Sequence, residues 1–387
     1  MPEVRVGGAS RRGLLQSTLL LATLPGRVRT GQGIAGAPAW PAWDGFAHQF
    51  MQADGRILAN EEGQTHSEAQ SYALMFALIA NDRARFELVL RWTEDNLCAG
   101  DLTARLPAWL WGRQASGQWG VLDANAASDA DLWIAYALAQ AGQLWDVRRY
   151  RALARVLAQR IVDEETAVLP GLGLTLLPGP RGFVKEAGKR WRLNPSYMPL
   201  QVLHGLAKFT AEPAWTSLSA SARRIIIESA PRGFAPDWVQ YDAPGQGFVP
   251  DHDGERQAEG AYNAIRVYLW AGMLDAMDPA RAPLLQALSP MVRCVSERGY
   301  PPEAADSITG AVRGTAGTGF SAALLPLLQV SGAHDALAAQ QRRLRMLPPD
   351  EGAYYQQCLL LFGEGWIQGA YRFAADGRLS VPWKGAA

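Results

Sequence analysis

Three observations predict an all-α domain of paired helices. Apolar residues recur at helical spacing from Trp40 onward, as in Leu132, Ala135, Tyr136 and Ala139 at i, i+3, i+4 and i+7. Strand-like alternation is scarce. No polar or low-complexity stretch divides the chain after residue 40, so the 48% hydrophobic content of its 387 residues serves one large core. A closed ring of helical hairpins would bury both faces of its inner helices and leave loops at one end for a cleft. Periodicity alone equally allows an open solenoid.

In chain order, helices are expected near 41–54, 67–80, 83–98, 127–141, 146–160, 196–210, 214–229, 260–275, 280–297, 318–330, 333–346 and 352–362. The second has Thr65-His66-Ser67-Glu68 before it, a T-x-x-E capping box in which Glu68 reaches back to the Thr65 backbone N–H. Asp82 can cap the third, which carries Phe86, Val89 and Leu90. Ser128 can cap the fourth, ending before Gly142, with Asp131 completing a weaker capping pair. The last holds Cys358 in the apolar run Cys358-Leu359-Leu360-Leu361-Phe362, where a thiol is buried and inert. The Pro/Gly-rich stretches 169–182 and 243–254 read as functional loops.

Composition narrows the function. Lys+Arg and Asp+Glu both number 37, which argues against capture of nucleic acid or an anionic membrane by charge. Cys98, Cys294 and Cys358 allow at most one disulfide and contain no CxxC pair. The five histidines show no metal-ligand spacing, Asp251-His252-Asp253 reads as a solvated loop, and no cofactor is implied. Fourteen Trp outnumber Phe and Tyr, 11 each. Most suit a large core, and some suit stacking on flat apolar faces such as sugar rings. Residues 1–37 resemble a twin-arginine export signal, with Ser10-Arg11-Arg12-Gly13-Leu14-Leu15-Gln16, an apolar run at Leu19–Ala22 and a small-residue site at Ala35-Gly36-Ala37. Residues 38–387 then form the exported domain. No later stretch has the roughly 18 apolar residues of a membrane span.

Three segments carry candidate chemistry. Ser67-Glu68-Ala69-Gln70-Ser71-Tyr72 sets one carboxylate among hydroxyls, an amide and an aromatic ring. A general acid there needs its pKa raised by burial or a second carboxylate, whereas a helix N-terminus favours the ionised form. Ala127-Ser128-Asp129-Ala130-Asp131 offers that second carboxylate in Asp129, though two acids in a first turn also simply answer the helix dipole. The third is Gly260-Ala261-Tyr262-Asn263-Ala264-Ile265-Arg266.

Ala127-Ser128-Asp129-Ala130-Asp131, with Ile134-Ala135, Ala141 and Trp145 at their spacings, resembles the signature of glycoside hydrolase family 8, departing at Ala139. The likeness continues through Glu68–Tyr72, Leu106–Trp111, Asn194–Tyr197, Ile265–Trp270 and Tyr354–Gln357. Within the family it is most similar to the periplasmic endoglucanases of bacterial cellulose-synthesis operons. The resemblance implies an (α/α)6 barrel around an open groove and inverting hydrolysis of β-1,4-glucan, with cellulose as substrate and a cellulose-synthase complex as partner. It implies that Glu68 is the general acid, that Asp129 binds the distorted sugar, and that Arg266 orients the base. Trp109, Trp111 and Tyr197 would stack on glucose rings.

At Asn263 the cellulase branch carries the aspartate that activates water. An amide can hold a water but cannot accept its proton. Part of the family takes its base from another loop, and Asp242, Asp251, Asp253, Glu255 and Glu259 lie just upstream. Two other functions stay open: a periplasmic glucan-binding subunit without turnover, and an enzyme for another β-1,4 polymer such as xylan or chitosan. Balanced charge gives no support to cationic chitosan.

Overall fold

Inner helices buried on nearly every side are the signature of a closed ring. Among the described residues four meet that description, while two more, amphipathic, complete the ring. The computed structural model describes residues 40–245, 247–254 and 256–385; the export-signal reading of 1–37 lies outside them. The helices are α1 (Pro41–Phe50), α2 (Ser67–Ile79), α3 (Arg83–Leu97), α4 (Ser128–Leu144), α5 (Arg148–Glu164), α6 (Leu200–Thr210), α7 (Pro213–Glu228), α8 (Ile265–Gly272), α9 (Arg281–Ala287), α10 (Ser289–Arg298), α11 (Thr318–Val330), α12 (His334–Met346) and α13 (Tyr354–Gln368).

The inner ring runs α2, α4, α6, α8, α11 and α13, each packed on the next. Tyr72 and Phe76 of α2 close it against Phe362 of α13, with ring centroids 5.1 and 4.7 Å apart. Trp133 of α4 and Trp270 of α8 meet the same phenyl ring at 5.5 and 5.2 Å, so one aromatic cluster plugs the middle. Outside, α3, α5, α7, α9, α12 and α1 back the inner helices in turn. This is the (α/α)6 barrel, and the solenoid alternative falls. The thirteenth helix arises because 280–297 breaks at Leu288, just before Pro290, into α9 and α10. Close approach within the ring needs Gly363: a Cβ there would lie 1.9 Å from the Ala322 carbonyl oxygen of α11.

Several local expectations are corrected. Ser128 does not cap α4: it is the first helical residue, its hydroxyl has no partner among the described residues, and the helix continues through Gly142 to Leu144. The capping box at Thr65 does not form, since Thr65 lies in a strand and its hydroxyl donates to the Ile57 carbonyl at 2.7 Å. Asp82 does cap α3, accepting from the Arg85 N–H. Helix α8 begins at Ile265 because residues 261–264 form turns.

The loops are more ordered than the pattern suggests. Five small antiparallel sheets decorate the ring, one of four strands: Val184–Lys185, Arg190–Leu193, Val239–Asp242 and Gly247–Pro250. Strands of two to five residues are too short to register as alternation. Cys358 is fully buried, and none of the three cysteines is paired. Eight of the fourteen Trp are buried, and Trp119 is the most exposed.

Candidate active site

Helix α2 begins where Ser67 donates its N–H to the Trp109 carbonyl at 2.9 Å, which places Glu68 in its first turn. Gln70 anchors that turn from below: its carbonyl oxygen accepts from Ile57 N–H at 2.8 Å and its NH2 donates toward Gly55, Val89 and Thr93. Glu68 is half-buried at the wall of a cavity of about 570 Å³ shared with His66, Tyr72, Tyr262, Asn263, Arg266 and Tyr355. Burial holds its carboxyl above the usual range, against its own backbone N–H, Arg266 and the Ser67 hydroxyl, which pull the other way. Desolvation therefore outweighs the helix dipole at this position.

Arg266 joins the three candidate segments. Its Nη1 donates to Asp129 Oδ2 at 2.8 Å and to the Tyr72 hydroxyl at 3.0 Å; its Nη2 donates to Asn263 Oδ1 at 2.8 Å and the Ser196 hydroxyl at 3.0 Å. Asp129 is 2% exposed and Arg266 6%. Burial first, then the neighbouring Glu68 charge, push the Asp129 carboxyl up to about 7, with Arg266 and the Ala130 N–H opposing. Glu68 and Asp129 are thus two carboxyls that share one cation, both raised above the ordinary carboxylate range, the direction a general acid needs.

Behind Asp129 lies a second pair. Asp131 and Glu165 are both fully buried, and none of their four carboxylate oxygens has a hydrogen-bond donor among the described residues. Burial raises both far above the carboxylate range, helped at Asp131 by the Glu165 charge and at Glu165 by the Asp129 charge. The hydrogen bond with Asp131 opposes the rise at Glu165, so a shared proton satisfies the pair. Asp131 is thus part of a buried acid pair and not of a cap.

The aromatic candidates do not line the Glu68 cavity themselves, and two of them back residues that do. Trp109 packs against His66 at 5.7 Å. Trp111 stacks on exposed Trp119 at 5.2 Å and 17°, with the Arg56 guanidinium 5.0 Å from both rings. Tyr197 lies between Arg266, 5.5 Å from its ring, and Trp238 at 5.9 Å. Trp238 is itself parallel to Phe183.

The acids upstream of Asn263 are engaged. Asp242 pairs with Arg190 at 3.2 Å and Asp253 with Lys185 at 2.9 Å. Glu259 is held by Arg313 at 2.8 Å. Asp251, read as a solvated loop residue, is instead 2% exposed and gripped by both Nε and Nη2 of Arg192. Glu255 lies outside the described residues. One carboxylate that sequence reading passed over touches position 263. Asp237 Oδ1 accepts from the N–H groups of Ala261, Asn263 and Ala264 at 2.8, 2.9 and 2.7 Å. Nothing local marks it, because its partners lie more than twenty residues away. Tyr72 and Tyr355, by contrast, lay within the segments singled out in sequence.

The sequence pattern of glycosyl hydrolases family 8 matches residues 32–369. An endoglucanase of Xanthomonas axonopodis pv. citri is 47% identical over 350 residues, 89% of this chain and 90% of that protein. An endoglucanase of Escherichia coli (strain K12) is 42% identical over 356 residues, 90% of this chain and 93% of that protein. The crystal structure of endo-1,4-D-glucanase from Vibrio fischeri ES114 aligns with a TM-score of 0.81 at 42% identity, covering 89% of this chain and 99% of that one. With this fold, these motifs and that likeness over nearly its whole length, the chain belongs to glycosyl hydrolase family 8.

Proposed function

We propose that this chain is an endo-β-1,4-glucanase that hydrolyses cellulose-type glucan with inversion, exported to the periplasm and working beside cellulose synthesis. The observation that carries the reading is Glu68: a half-buried carboxyl whose pKa desolvation raises, near Asp129 and Arg266 at the wall of the cavity. Relatives named endoglucanase at 42–47% identity support the substrate class. Among the described residues no helix is long and apolar enough to cross a membrane, which is compatible with export.

In this reading Glu68 gives its proton to the glycosidic oxygen as the C1–O bond breaks. Asp129, fixed by Arg266, meets the hydroxyls of the distorted sugar, and Trp109, Trp111 and Tyr197 provide stacking faces for the flanking glucose units. Water attacks C1 from the opposite face, which requires a base about 6.5–9.5 Å from the acid. Asn263 cannot be that base. Arg266 occupies its carbonyl oxygen and leaves its NH2 group as a donor to the water, which positions the water without deprotonating it.

Reducing ends released from carboxymethyl-cellulose by the wild type and Glu68→Gln test the reading. A wild-type rate about 10²-fold or more above Glu68→Gln is expected for loss of a general acid. Equal background release, with glucan still bound, would instead describe a binding subunit. Retained β-anomers in NMR of the fresh product would overturn inversion.

A further inference from the structure

The mechanism above lacks a proton acceptor, and among the described residues one carboxylate touches position 263. We propose that Asp237, in the loop between α7 and α8, is the general base of this enzyme. The proposal rests on the hydrolase reading of Glu68.

Three observations carry it. First, Asp237 is in direct contact with position 263: its Oδ1 binds the backbone N–H of Asn263 itself, together with those of Ala261 and Ala264. The carboxylate therefore sits at the N-terminal mouth of α8. The corresponding ends of α2 and α4 bring Glu68 and Asp129 to the same place. Second, one oxygen is free. Oδ2 accepts no hydrogen bond among the described residues, whereas Asp242, Asp251, Asp253 and Glu259 are each tied to an arginine or lysine. A carboxylate with one oxygen anchored by three N–H groups and the other free is oriented, not merely present. Third, Asp237 opens onto a second cavity of about 320 Å³, lined also by Trp238, Asp251, Arg256 and Glu259. Trp238 of this cavity packs on Tyr197, whose ring faces Arg266, a residue that lines the Glu68 cavity.

The step balances without another reactant. The Glu68 proton moves to the glycosidic oxygen, which takes the electron pair of the breaking C1–O bond. The water oxygen bonds to C1 from the opposite face, and its proton passes to Asp237 Oδ2. Asn263 and Arg266 hold the water and the sugar site between the two carboxyls. The charged groups facing Asp237 are Arg266, Arg256, Glu259 and Asp251, the last two already paired. Burial raises the Asp237 carboxyl even against its three N–H donors, which makes it a stronger proton acceptor than an ordinary carboxylate.

The test compares wild type, Asp237→Asn, Asp237→Ala and Glu68→Gln on a soluble cello-oligosaccharide, with folding checked by circular dichroism. Asp237→Asn keeps the anchored oxygen and is expected to lose about 10²–10⁴-fold in kcat with KM little changed. It should also lose the acidic limb of its pH profile. Sodium azide should restore turnover to Asp237→Ala and yield the α-glucosyl azide, because a small anion needs no base. A kcat for Asp237→Asn within a few-fold of wild type, or a loss in Asp237→Ala that azide leaves untouched, overturns the assignment. Glu68→Gln separates the two ideas: if wild type is no faster than Glu68→Gln, the hydrolase reading fails. If Glu68→Gln alone is dead, only the Asp237 assignment fails.

Discussion

Replacing Arg266 with Met removes the one cation that holds Asp129, Tyr72, Ser196 and Asn263 together while roughly keeping the side chain's bulk. Both ends of the Arg266–Asp129 pair are buried, so breaking it at a pH where Asp129 is ionised costs about 3–5 kcal/mol. Unfolding entropy of about 2.1 cal/mol/K per residue, over the unit Ala37–Ala387, gives roughly 0.7 kcal/mol/K. The penalty therefore corresponds to a Tm lowered by about 4–7 °C.

The pH dependence makes this specific. Asp129 has a folded pKa of about 7, above the ordinary carboxylate value, and Arg266 is one of the groups holding it down. Without Arg266 it rises further. A carboxyl with a raised folded pKa binds a proton that the unfolded chain does not, so stability falls as pH climbs from the unfolded value toward the folded one. At pH 5 both proteins carry a protonated Asp129, and the variant loses only the guanidinium's hydrogen bonds to uncharged acceptors. At pH 8.5 the wild type is ionised and paired, and the full difference appears. Calorimetry at pH 5, 7 and 8.5 should show the Tm gap widening with pH. A gap independent of pH, or under about 1 °C at pH 8.5, would refute the claim that Arg266 neutralises Asp129.

Three further outcomes follow from the same geometry. Asp131→Asn supplies N–H donors to Glu165, so it should raise Tm above pH 7 and flatten the decline in Tm between pH 5 and 9; a lower Tm at pH 8 would dismiss the shared proton. Gly260→Ala sets a Cβ 1.8 Å from the Ala235 carbonyl oxygen, which must displace the turn that Asp237 anchors. A loss of about 1–3 kcal/mol in urea unfolding, with a drop in kcat, is expected. Trp119→Ala removes the exposed half of the Trp111 stack and should raise KM for long glucan several-fold at unchanged kcat; an unchanged KM on polymer would remove that stack from the substrate path.

The ring was legible in sequence because its helices follow the 3.6-residue period and no segment interrupts the core. Its closure was not, since Phe362 meeting Tyr72 and Phe76 is a contact across nearly three hundred residues that no local pattern encodes. The split of 280–297 was signalled by Pro290 and the late start of α8 was not, because residues 261–264 are ordered by Asp237 and not by their own propensity. Glu68, Asp129 and Arg266 were legible as motifs, and their cooperation through one guanidinium appears only in three dimensions.

The local rule that failed at Glu68 and Asp131 is also the informative one. An acid in the first turn of a helix ordinarily answers the dipole and stays ionised, an effect of about 0.3–1 kcal/mol at an exposed end. At these positions the helix ends are turned inward, where removing a carboxylate from water costs several kcal/mol. Desolvation is the larger quantity, and it pushes the carboxyls at these helix starts, Glu68, Asp129 and Asp131, toward protonation. An interior that protonates its acids is well suited to a proton donor, and burial raises the Asp237 carboxyl as well, against the N–H groups that hold its charge. A base in such a site must keep one oxygen fixed by backbone N–H groups, to hold its charge, and leave the other free. Asp237 has that arrangement, and Asn263, an amide whose side-chain oxygen is taken by Arg266, does not.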